Sequence, residues 1–132
     1  MGARGPNILF VIGELRKTRP NLEYGQLLLV GHSQGGDTSM LFAQTHPDLV
    51  QTVISLDNRR MLFPRTRQPR VFSIRSSDQP ADDRVIPLLE EQAKLGMRVV
   101  TLPATIHNDM WDGGTEEQKA KMLRYTAEFL RE

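Results

Sequence analysis

The chain has 132 residues, 39% of them hydrophobic and 25% charged, with a formal charge of +1, as expected of one soluble globular domain. Near-neutral charge gives no electrostatic reason for a nucleic-acid partner, and the lack of cysteine excludes disulfides, a thiol nucleophile and thiolate metal sites. No apolar run reaches the ~20 residues that span a bilayer, and residues 1–6 precede too short an apolar stretch for a secretory signal, so a cytoplasmic location without a membrane partner is expected.

The first patterned segment, 8–15, is ambiguous. Ile8, Val11, Ile12 and Leu15 share one helical face, although the same run reads as a strand. A helix is the favoured reading, because Arg16, Lys17 and Arg19 place cations near its end before Pro20. A loop over 21–26 leads to the apolar run 27–30, a buried strand. Gly31-His32-Ser33-Gln34-Gly35 follows, and then a helix over 36–46 stopped by Pro47.

Further on, 52–56 is a second short strand ending at Asp57. The span 57–69 holds two prolines and many arginines, so it is mostly loop. A third strand, 71–74, ends in Ser76-Ser77-Asp78. Helix signals run over 86–95, where Leu88, Leu89 and Ala93 form a partial apolar face and Gly96 suits a helix C-terminus. A fourth strand covers 97–102 and leads to a loop holding His107. Thr115 to Gln118 has the form of a capping box, opening a last helix whose Leu123, Ala127 and Leu130 run at helical spacing. Strands alternating with helices predict α/β architecture: a mostly parallel sheet of about four strands in a three-layer α/β/α sandwich, as one domain over 1–132.

Strand, Gly-x-Ser-x-Gly and helix make the context of a nucleophile elbow, with the serine on a strained turn and flanking glycines removing Cβ atoms that would collide there. Active-site residues of such sheets project from loops at the carboxyl ends of the strands. Ser33, Asp78 and His107 occupy such loops in that chain order. In these features the chain resembles the α/β-hydrolase superfamily, whose triad runs Ser, Asp or Glu, His. The resemblance extends from the elbow strand to the last helix.

That resemblance implies a serine hydrolase cleaving a carboxylic ester, or a thioester or amide, through an acyl-enzyme and without a cofactor. A serine hydroxyl needs a base within reach, histidine titrates near neutrality, and the imidazole needs an acceptor to fix its tautomer. Ser33 is thus read as nucleophile, His107 as base and Asp78 as orienter. Asp57 is the main competitor of Asp78, because it too follows a strand and some family members place their acid there. The backbone N–H of Gln34 is the expected oxyanion donor, and His32 and Trp111 are the expected substrate contacts. Asp82 and Asp83 look like helix caps. Asp109 either shapes the pocket or is solvated. The scattered histidines and aspartates have no metal-ligand spacing, so no metal is expected.

Arg59, Arg60, Arg65, Arg67 and Arg70 crowd the loop after the second strand. They are either solvated or hold an anionic substrate group at the active-site edge. The family's sheet usually has eight strands with the elbow on the fifth, whereas at most one ambiguous segment precedes it here. The expected consequences are the loss of a second oxyanion donor and an elbow strand left at a sheet edge. A homodimer pairing two elbow strands across a twofold axis is one remedy; segment 8–12, if a strand, is another. The rival to the enzyme reading is a truncated, weakly active or inactive scaffold of the same fold, serving as an interaction module or being a fragment.

Overall fold

A computed structural model describes residues 5–132; residues 1–4 of the segment weighed as a signal lie outside the described residues. Four strands, β1 (Leu27–His32), β2 (Val50–Leu56), β3 (Arg70–Arg75) and β4 (Arg98–Thr101), form one sheet in the order β1-β2-β3-β4. Every neighbouring pair is parallel. The connecting helices are α1 (Gly5–Thr18), α2 (Gln34–Thr45), α3 (Leu89–Leu95) and α4 (Glu116–Arg131).

Alternation along the strands sends successive side chains to opposite faces of the sheet. Val53 and Val71 join Met40, Phe42 and Ala43 of α2 and Ile12 of α1 in one core. Ile54, Phe72 and Ile74 join Met122 and Phe129 of α4 in the other, where the Phe72 and Phe129 rings stack 4.7 Å apart. The α/β fold class read from the sequence is therefore present as helices on both faces of a parallel sheet.

Segment 8–15 is helical, and its apolar stripe of Ile8, Val11, Ile12 and Leu15 faces an apolar groove of about 670 Å³ beside β1. Only Ile12 of that stripe is buried. β1 is thus the terminal strand among the described residues, with Leu28 45% and Val30 52% exposed.

Two helices bury faces other than those expected. α3 starts at Leu89 rather than residue 86, because Pro87 lies in the chain just ahead of it, and it leaves Leu88 and Leu89 exposed. Gly96 does end it in the left-handed conformation, at φ 70°. α4 has its capping box, with Gln118 N–H donating to Thr115 Oγ1 at 3.1 Å and Thr115 N–H to Gln118 Oε1 at 2.9 Å. It turns Met122 and Phe129 inward, while Leu123 and Leu130 face solvent. Asp82 and Asp83 cap no helix; Asp82 instead accepts from Arg59 Nε at 3.3 Å.

Candidate active site

The elbow forms because β1 must reverse into α2 within a few residues. Ser33 sits at φ 56° and ψ −118°, a region that costs a non-glycine residue roughly 1–3 kcal/mol. The turn closes only because Gly31 lacks a side chain: a Cβ there would stand 2.3 Å from the carbonyl oxygen of Gly35. Gly36 is also tight, at 3.0 Å from Asn58 Cβ. Gly35, expected to relieve the same crowding, faces open space among the described residues.

Register aligns the site. His32 pairs with Leu56 and Leu56 with Ile74, and the ladder continues one residue further. Ser33 N–H donates to Leu56 O and Asp57 N–H to Ile74 O, both at 2.9 Å. Ser33 and Asp57 therefore follow adjacent strands at one level, at the carboxyl edge where parallel sheets hold their ligands.

His107 opens a short 3-10 turn after β4. Asp57 Oδ2 lies 2.5 Å from its Nδ1. Asp78, the carboxylate assigned to the ring from sequence, is placed otherwise: its Oδ1 accepts the backbone N–H of His107 at 2.8 Å. The reason is topological. Asp57 ends the strand beside β1, whereas Asp78 lies beyond β3, one strand further from Ser33.

Asp109 is neither a lining residue nor merely solvated. It accepts from Ile106 N–H at 3.1 Å and from Gln118 of α4 at 3.0 Å, tying the His107 turn to that helix. Ser77 and Thr105 exchange hydrogen bonds between the loops after β3 and β4.

Ser33, Gln34 and His107 line a cavity of about 170 Å³ together with Asp37, Arg59, Arg60 and Gln79. His32 does not join that lining. Its ring packs 4.6 Å from that of His107, and its Nε2 lies 3.2 Å from the His107 carbonyl. Trp111 is 66% exposed, with its ring against Gly113, outside the cavity. Of the five arginines, Arg59 and Arg60 reach the site. Arg65 is instead bound to the carbonyls of Phe63, Arg84 and Val85, and Arg70 lies over the Phe72 ring.

The sequence model of the alpha/beta hydrolase fold matches residues 14–77, a span containing the elbow and the first three strands. Among solved structures, the chain is similar to one from a study of carboxylesterases of the ammonia-oxidizing thaumarchaeon Nitrososphaera gargenis. The TM-score is 0.54 at 17% identity, covering 93% of this chain and 72% of that one. Over residues 14–77 the chain resembles the α/β-hydrolase superfamily, and the structural likeness shows the same fold. No curated protein matches it.

Beneath the elbow of this α/β-hydrolase-like fold lies a buried polar network that sequence reasoning missed. Arg75, at the end of β3, donates from Nη1 to Asn58 Oδ1 and to Ser73 Oγ, each at 3.2 Å. Its Nη2 stands 3.7 Å from Asp57 Oδ1 and has no hydrogen-bond partner among the described residues. Asp57 is wholly buried. Burial alone would raise its pKa, but the N–H and hydroxyl of Ser76, the His107 ring and Arg75 together hold the carboxyl below its ordinary value. The His32 pKa is lowered, first by burial and then by the neighbouring His107. No local sequence pattern marks Arg75 as buried.

Proposed function

We propose that the chain is a serine hydrolase that cleaves a carboxylic ester through an acyl-enzyme. The observation that carries this reading is the placement of Asp57 against Nδ1 of His107 while His107 and Ser33 border one cavity. With Nδ1–H donating to Asp57, Nε2 is left as the base.

In the proposed reaction Ser33 Oγ attacks the ester carbonyl and its proton passes to His107 Nε2. The oxyanion takes a hydrogen bond from the Gln34 N–H, where the α2 N-terminus also favours negative charge. Collapse breaks the ester C–O bond, and the leaving alkoxide takes the proton from His107. Water then cleaves the acyl-enzyme by the same proton route. A thioester or amide follows the same steps. The structural neighbour comes from a study of carboxylesterases, which supports ester over the other two.

Within this proposal a second copy covers β1. Antiparallel pairing across a twofold axis satisfies the strand's outer backbone groups and covers Leu28 and Val30. A monodisperse 15.0 kDa species in sedimentation at low micromolar concentration sinks that part.

Labelling with a fluorophosphonate probe tests the nucleophile. Wild type is expected to label and Ser33→Ala to remain unlabelled. A folded wild-type sample that does not label rejects the hydrolase reading and leaves the scaffold reading in its place.

A further inference from the structure

We infer that Arg59 and Arg60 form an anion subsite in the Ser33 cavity, and that the favoured substrate is a small ester carrying a carboxylate. This inference rests on the proposed hydrolase reading for the word substrate, but the anion subsite stands on geometry of its own.

The two arginines border the same small cavity as Ser33 and His107. Their backbone is fixed there rather than free in a surface loop. Asp37 of α2, itself buried, accepts the N–H of Arg60 at 3.0 Å and of Met61 at 2.8 Å through one oxygen. Asn58, also buried, donates to the Met61 carbonyl at 3.1 Å. On the other side Asp82 N–H donates to the Arg59 carbonyl at 2.9 Å. Helix α2, which begins directly after Ser33, therefore holds the arginine loop over its own N-terminal turn.

Charge at the cavity is uneven. The Arg59 guanidinium meets Asp82 at 3.3 Å in a half-exposed pair, an arrangement worth little and readily exchanged for another anion. The Arg60 guanidinium has no hydrogen bond or ion pair among the described residues. Asp37 also borders the cavity, but its Oδ1 is occupied by the backbone donors it holds. Asp57 is fully buried below. A planar guanidinium binds a carboxylate through two parallel N–H donors. A volume of about 170 Å³ suits a short substrate better than the drug-sized ligands of ordinary pockets.

Two measurements test the subsite. Glutarate binding by calorimetry reports the anion site whether or not Ser33 is a nucleophile. Wild type is expected to bind glutarate, less tightly at higher salt, and Arg60→Gln to bind about tenfold more weakly. The second measurement compares kcat/KM for monoethyl glutarate against ethyl butyrate, and for 3-acetoxybenzoate against phenyl acetate. These pairs place the carboxylate on the acyl side and on the leaving-group side in turn. Wild type is expected to prefer the charged member of at least one pair, and Arg60→Gln to lower that preference about tenfold. Arg67→Gln, an exposed arginine of the same loop outside the cavity, is the control expected to change neither reading.

Absent glutarate binding, or binding equal in wild type and in a folded Arg60→Gln variant, overturns the subsite. So does ester turnover without preference for either charged substrate. Glutarate binding that Arg60→Gln weakens, in a protein that hydrolyses no ester and takes no fluorophosphonate, rejects the hydrolase reading and keeps the subsite.

Discussion

The carboxylate of Asp57 meets the ring of His107 at 2.5 Å, although the two residues lie fifty positions apart in the chain. Asp78 holds the same histidine by its backbone N–H. One carboxylate therefore acts on the ring and the other on the turn that carries it. Asp57→Asn is expected to reduce ester turnover by on the order of 10³–10⁴, because an amide cannot hold the imidazole in the required tautomer or balance its charge. Asp78→Ala removes an exposed acceptor and is expected to cost about 1 kcal/mol, with a far smaller loss of rate. Steady-state kinetics on one neutral ester separate the two, and a larger loss in Asp78→Ala reverses the assignment.

Arg75 links this pair to the interior. It is buried with Asp57 and lies 3.7 Å from it. Removing one partner of such a pair leaves the other charge uncompensated, at a cost of about 3–5 kcal/mol. Arg75→Met is expected to lower the denaturant midpoint accordingly. It also shifts the acid limb. A carboxyl whose folded pKa is depressed contributes stability above its unfolded value and loses it as pH falls through the folded value. Without Arg75 the folded value of Asp57 rises, so acid unfolding should begin at higher pH than in wild type. Urea titrations at pH 7 and at successive steps below pH 5 measure both effects.

The elbow was legible in sequence because its constraint is local: a short apolar strand, two glycines around a serine, and a helix. His107 was legible as the histidine in a loop following a strand. The choice between Asp57 and Asp78 was not, since each follows a strand and only sheet order decides which carboxylate reaches the ring. With strands about 4.8 Å apart, one step across the sheet separates a hydrogen bond to the ring from one to the backbone of the same histidine. Arg75 was hidden for a related reason. A charged residue closing an apolar strand reads as solvated, and here it is buried against Asp57 and Asn58, which follow the neighbouring strand β2. Trp111, an expected substrate contact, has its ring over Gly113 instead. In α4, Leu123 and Met122 both fit a helical stripe, and only the position of Phe72 selects the face bearing Met122 and Phe129.

His32 gives the fold a pH dependence at milder acidity. Its pKa lies below the ordinary 6.5, because burial and the adjacent His107 both disfavour its cation. The unfolded chain therefore takes up a proton there before the folded one does. Stability contributed by neutral His32 is complete above about pH 6.5 and declines as pH falls from there toward the folded value. His32→Gln, which cannot titrate, is expected to flatten that decline. Denaturant midpoints measured between pH 8 and pH 5.5 give the comparison, and equal slopes in the two proteins exclude His32 as the source.

The two glycines of the elbow should respond differently to the same substitution. A methyl group on Gly31 would meet the Gly35 carbonyl at 2.3 Å, an approach between backbone atoms that no rotamer change relieves. Gly31→Ala must therefore spread β1 from the start of α2, and overpacking of this kind costs about 1–3 kcal/mol or more. It also moves Ser33 relative to His107, so labelling by the fluorophosphonate should fall even where the variant remains folded. Gly35→Ala adds a methyl group that meets nothing among the described residues, at a position without positive φ. Within α2 that exchange should be neutral or stabilising by up to about 1 kcal/mol. Thermal melts of the two variants beside wild type test the contrast, and equal losses would mean that the crossing of Gly31 and Gly35 does not set the elbow.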